Sequence, residues 1–322
     1  MKNREALTIA AAALGGMAGA LVAARIGQAY QRDQRIALAR LIAQSEVRAT
    51  ARGPVEYAET GRGPAVVVLH GAAGGFDQSL HIASILGEAG LRFIAPSRFG
   101  YLRGPLPANG TPEAQADTVA ALLDALGIQS AAVLAVSAGG MTGLAFAQRH
   151  PERCWALALV SAITRPLVLT DPALQALTAV VLRSDFAFWA IRHGGLGLIA
   201  QTTGLSADEQ ARLAAQPEAR RALAGLIDMD PISRRRDGIL NDTVQAEVLP
   251  EWPLSLITTP ALVIHGTADP LVPYTVGQAA AGSLPHAQLL TLEGAGHLGW
   301  FTHAAQTRPA ALDFFRSHAP KG

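Results

Sequence analysis

Short runs with no polar residue recur along the chain, and each ends in small or turn-forming residues. Ala65–Leu69, Ala131–Val136 and Ala156–Val160 are of this kind, and Pro260–Ile264 runs on into His265-Gly266. Such runs predict strands buried on both faces of a sheet. Leu91–Ala95 and Ala287–Leu292 are read as further strands, and Val55–Thr60 as a short antiparallel one. Between them the apolar spacing changes to that of a helix. Thr111-Pro112-Glu113 is an N-cap followed by Pro at the first turn, with Val119, Leu122, Leu123 and Leu126 on one face and Gly127 as the stop. Met141 to His150 is a second helix, closed by Pro151.

Strand and helix thus alternate as far as Ser161, which predicts a mostly parallel, twisted sheet with helices on both faces. From Thr164 to Leu256 the alternation stops and only helical patterns and polar loops appear. The expected organisation is a core over residues 53–163 and 257–322, with a helical cap, 164–256, inserted after the sixth strand. Residues 25–52 read as an amphipathic helical stalk.

Ala6 to Ala24 carries no charge, and nineteen residues suffice to span a bilayer as a helix. Residues 1–24 are therefore expected to anchor the protein in a membrane. The alternatives are export, with Ala18-Gly19-Ala20 as a cleavage site, and an ordinary helix.

Composition narrows the classes. Of 322 residues half are hydrophobic and 16% charged, which excludes a disordered or coiled-coil chain. A net charge of +1 gives no reason to expect nucleic acid. The single Cys154 reads as a buried apolar filler. Arg234-Arg235-Arg236 reads as a solvated stretch, with an anionic ligand or lipid head groups as the alternative. No cofactor is expected, and no metal, since H-E-x-x-H is absent.

The candidate chemistry lies where predicted strands end. Ser137 follows Ala131–Val136 and precedes Ala138-Gly139-Gly140, a strand-to-helix turn that would lift its hydroxyl out of the sheet. Asp269 follows the strand ending at Gly266, and His297 follows the last strand. Ligands bind at this carboxyl edge in open α/β sheets. A serine hydroxyl needs a base to take its proton, the role assigned to His297, with Asp269 holding the imidazole. His70-Gly71-Ala72-Ala73-Gly74-Gly75 lacks the frame of a phosphate cradle but suits a loop whose N–H approaches a substrate oxygen. His70 reads as structural within it, and His265 as a packed strand-end residue.

The His70-Gly71 loop, the Ser137 turn, the Gly266-x-x-Asp269 turn and the Gly296-His297 pair together resemble an α/β-hydrolase with a cap, over roughly residues 55–318. The resemblance implies an oxyanion hole made by the backbone N–H groups of Ala72 and Ala138. It implies a serine hydrolase acting on a small or medium carboxylic ester. Alternatives on the same residues are carbon–carbon bond hydrolysis, aminopeptidase action and cofactor-free peroxidation, or a non-catalytic binding protein of that fold. Two departures stand out. Ala135 occupies the place of the first glycine of the turn, and Ser97-Arg98-Phe99-Gly100 stands where many relatives carry Asp-x-x-Gly. Phe186, Phe188 and Trp189 are the expected apolar lining of a substrate pocket under the cap.

Overall fold

The computed structural model describes residues 2–87, 89–168, 172–193 and 203–320. Helix α1 (Lys2–Ala43) forms one compact unit with no strand, and residues 44–322 form the other. In the second unit the strands are β1 (Glu46–Thr50), β2 (Gly53–Gly61), β3 (Ala65–Leu69), β4 (Arg92–Pro96), β5 (Ala131–Val136), β6 (Cys154–Val160), β7 (Ala261–Gly266) and β8 (Ala287–Leu292). They form one eight-stranded sheet in the order β1-β2-β4-β3-β5-β6-β7-β8. Pairing is antiparallel from β1 through β2 to β4, and parallel from β4 to β8.

The helices of this unit are α2 (Phe76–Ser84), α3 (Pro112–Ala125), α4 (Gly139–Arg149), α5 (Pro172–Arg183), α6 (Asp185–His193), α7 (Ala207–Ala214), α8 (Pro217–Leu226), α9 (Arg236–Glu247), α10 (Tyr274–Ser283), α11 (Gly299–Thr302) and α12 (Ala304–His318). Alternate strand residues divide between two apolar clusters, as a pleated sheet buried on both faces requires. Val66, Val68, Ala132 and Leu134 face α2 and α12; Val67, Leu69, Val133 and Ala135 face α3 and α4.

Three expectations change. Residues 25–52 are not one stalk: the helix ends at Ala43, and Glu46–Thr50 is an edge strand joined to β2 by a tight hairpin at Gly53 (φ 101°). Its charged, largely exposed residues give no apolar signal, and charge is a common protection of sheet edges. Secondly, among the described residues no helix is long and apolar enough to cross a membrane. The membrane anchor over residues 1–24, and the membrane attachment that followed from it, are therefore corrected. Its uncharged run is mostly Ala and Gly, which add little hydrophobicity per residue, and the same helix continues through the charged stretch to Ala43. Thirdly, residues 164–256 contain no strand among those described, but they are not set apart as a compact unit. Leu213, Ala219, Ala222 and Leu223 of α7 and α8 join the core cluster on the α2 face.

Candidate active site

Ser137 sits between β5 and α4 with φ at 54°, left-handed backbone that a non-glycine residue adopts only where its surroundings hold it there. Its N–H donates to Val160 O (3.0 Å), and its carbonyl accepts from Gly140 and Ile163 (2.9 Å each). Close packing explains the small residues around it. A Cβ on Gly139 would run into Leu69 O, and one on Gly140 would come 2.7 Å from Ala162 Cβ. The methyl of Ala135 is accommodated by the facing helix turn, where a Cβ on Gly143 would lie 2.7 Å from Ala135 Cβ.

The three residues expected from different strand ends meet. His297 Nε2 is 3.1 Å from Ser137 Oγ. Its Nδ1 is 2.8 Å and 3.0 Å from the two oxygens of Asp269. A carboxylate only accepts, so Nδ1 carries the proton and Nε2 presents its lone pair to the serine hydroxyl. Asp269 Oδ1 also accepts from the N–H of Leu271 (2.9 Å) and Val272 (3.0 Å). Burial pushes the Asp269 carboxyl up. Hydrogen bonds from His265, His297 and Val272 N–H outweigh that and hold it far below the usual carboxylate range. His265 Nε2 lies 2.8 Å from Val272 O and 3.5 Å from Asp269 Oδ2, so its proton belongs mainly to the carbonyl.

The glycine loop lies against the serine, with a Gly71 Cβ position 3.1 Å from Ser137 Cβ. His70 is fully buried and structural. Its Nδ1 donates to Gly71 O (2.7 Å), and its Nε2 accepts from Arg98 N–H (3.0 Å). Burial, then the Arg98 charge, push its pKa well below the ordinary histidine value, so the ring is neutral. Ser97 replaces the expected acid by relaying one. Its Oγ donates to buried Glu56 Oε2 (2.8 Å) and accepts from Phe76 N–H (3.1 Å).

A cavity of about 200 Å³ opens at Ser137. Ala72 and Ala138 line it together with Ile163, Leu167, Ala246, Leu271 and Val272, so its wall is mainly apolar. Phe186, Phe188 and Trp189 are not among its lining residues. Phe186 is 43% exposed and stacks on Trp189 (centroids 5.8 Å apart), and Trp189 packs in turn on His193. Cys154 is buried, and desolvation raises its thiol to about 12, which suits the filler role. Among the described residues no group of three or more His, Cys, Asp or Glu is placed to hold a metal ion.

Four buried charges beside the site carry no sequence signal of their own. Arg98 and Asp242 form a two-pronged ion pair (2.7 and 2.6 Å), and Arg235 and Asp77 another (3.0 and 2.7 Å). Arg235, expected to be solvated, is 0% exposed, whereas Arg234 and Arg236 are exposed. Glu209 is buried too. One oxygen accepts from Gly296 N–H (3.1 Å) and Thr302 Oγ1 (2.8 Å), while His297 N–H donates to Thr203 O (3.0 Å). Residues 203–209 therefore fasten the loop that carries His297.

A family model described as the alpha/beta hydrolase fold matches residues 64–304. The chain belongs to this family. It is thus a hydrolase, and three proteins are similar to it over most of their length. A solved alpha/beta hydrolase fold protein from Nakamurella multipartita is 32% identical, covering 85% of this chain and 99% of its own, with a TM-score of 0.76. The uncharacterized hydrolase YcgS of Bacillus subtilis is 27% identical over 274 residues, 82% of this hydrolase and 96% of its own length. The 2-hydroxymuconate semialdehyde hydrolase of Pseudomonas sp. (strain CF600) is 29% identical over 263 residues, 80% and 88% of the two chains.

Proposed function

We propose that this hydrolase cleaves a carboxylic ester with a small or medium apolar acyl group, through an acyl-enzyme on Ser137. The observation that carries the reading is the unbroken line from Asp269 through His297 to the Ser137 hydroxyl. His297 Nε2 takes the hydroxyl proton as Oγ attacks the ester carbonyl, forming a carbon–oxygen bond and an oxyanion. The imidazolium then returns the proton to the departing alcohol as the ester bond breaks. Water repeats the sequence on the acyl-serine and releases the acid. The N–H groups of Ala72 and Ala138 serve the oxyanion; neither has a protein acceptor among the described residues. Asp269 keeps the imidazole in the useful tautomer and stabilises its charged form.

The cavity supports the acyl preference. At about 200 Å³ it is smaller than ordinary ligand clefts of about 300–1,000 Å³. Among the described residues its one charged wall residue is Asp242, which has both oxygens engaged by Arg98, one of them also by Tyr101 Oη. The likeness to a 2-hydroxymuconate semialdehyde hydrolase favours carbon–carbon bond hydrolysis as the second reading. Rates on p-nitrophenyl acetate and butyrate against a dienone substrate separate the two. Ester turnover that is faster by at least tenfold, and absent in Ser137→Ala, is expected; a preference for the dienone would replace the first reading by the second.

A further inference from the structure

We propose that Arg98 is a positioning residue for ester hydrolysis, orienting and polarising the peptide unit that offers the Ala72 N–H to the oxyanion; this rests on the serine-hydrolase reading above. The carbonyl of Gly71 and the N–H of Ala72 belong to one planar trans peptide, so they point in opposite directions. Whatever fixes Gly71 O fixes the aim of the Ala72 N–H. Arg98 Nη2 donates to Gly71 O (3.2 Å), and Arg98 Nε donates to His70 O (2.9 Å). His70 Nδ1 adds a second bond to Gly71 O (2.7 Å).

The N–H groups at both ends of this stretch are taken. Gly71 N–H donates to Gln78 Oε1 (2.9 Å), and Gly74 N–H to Gly71 O (3.3 Å). Between them, the Ala72 and Ala73 N–H groups donate to no backbone acceptor among the described residues, and of the two it is Ala72 that lines the cavity at Ser137.

The clamp is rigid and dry. Arg98 is 3% exposed, its guanidinium meets both oxygens of Asp242, and it lies 5.2 Å from the centre of the Tyr101 ring. A cation held at a carbonyl in such surroundings draws electron density along the peptide and makes the far N–H a stronger donor. At the other end of the loop Arg235 Nη1 donates to Gly74 O (2.7 Å). Arg98 differs in touching the peptide unit that carries the oxyanion donor. Asp242 comes from α9, so this segment of the insertion helps hold the oxyanion loop.

The test compares the full-length wild type with two variants, using p-nitrophenyl acetate kinetics, inhibition by a trifluoromethyl ketone and thermal unfolding. Arg98→Met with Asp242→Asn removes the clamp without leaving a buried charge unpaired. Arg98→Lys keeps the charge and loses the fork. Loss of one oxyanion donor costs about 10²- to 10³-fold in kcat, so the double variant is expected to lose about 10²-fold in kcat with KM within about threefold. Its affinity for the trifluoromethyl ketone, whose adduct carries an oxyanion, should fall in parallel. Arg98→Lys is expected to lose at least about fivefold in kcat, and it decides the matter if the double variant does not fold. Wild-type kcat and ketone affinity in a folded variant, or a loss confined to KM, overturn the proposal alone. A wild type that neither hydrolyses the ester nor reacts with a fluorophosphonate at Ser137 overturns the serine-hydrolase reading, and this inference with it.

Discussion

The base of the proposed reaction depends on Asp269. Three hydrogen-bond donors converge on it, the N–H groups of Leu271 and Val272 and the Nδ1–H of His297, and the imidazole tautomer depends on its remaining a pure acceptor. Asp269→Asn keeps the shape but turns one oxygen into a donor, which favours the proton on Nε2 and blinds the base. Steady-state kinetics should show a loss of about 10³- to 10⁴-fold in kcat at little cost in stability; a loss below tenfold would show that Asp269 does not orient the base. These three residues are legible in the sequence because each follows an apolar strand and their chain order, Ser then Asp then His, suits this kind of sheet. Arg98, Asp242, Arg235, Asp77 and Glu209 are not legible, because an isolated charge reads as solvated until its partner is known. Those partners lie far along the chain: 144 residues separate Arg98 from Asp242, and 158 separate Arg235 from Asp77.

Among the elements, the turn between β5 and α4 does most to place the chemistry. Its departure at Ala135 works because Gly143 on α4 leaves room for the extra methyl. Gly143→Ala would press two methyl groups together in a fully buried layer, and overpacking of this kind costs about 1–3 kcal/mol. Urea unfolding should show that loss, and adding Ala135→Gly should recover most of it. Equal stability of single and double variants would mean that the two positions are not coupled. The central strands were readable because burial on both faces leaves no polar residue in them. The edge strand β1 was not, since an exposed edge imposes no such pattern. The aromatic residues of α6 show the limit of composition: Phe186 and Trp189 stack with each other and line nothing at Ser137.

Across the whole molecule, two buried ion pairs tie the insertion to the core at the loop beside the serine, through Arg98–Asp242 and Arg235–Asp77. Burial raises the Asp77 carboxyl, but the Arg235 charge and hydrogen bond, then Gln78 N–H, bring its pKa below the usual value. A carboxyl that is more acidic in the folded state adds stability above its unfolded pKa of about 3.9, and that stability is lost as pH falls through the lower folded value. Asp77→Asn should therefore cost about 3–5 kcal/mol near pH 7, by leaving Arg235 buried without its anion. The gap from wild type should narrow as pH falls below about 4. Urea unfolding at pH 7 and pH 3 reads both numbers, and a gap that does not change with pH would remove Asp77 from the acid response. The acyl-transfer account itself is tested most directly by reacting the full-length protein with a fluorophosphonate and locating the adduct by tandem mass spectrometry. One adduct per chain on Ser137 is predicted, at a rate cut at least 10²-fold by His297→Ala. An adduct on another residue, or a Ser137 that stays unmodified in active protein, would contradict it.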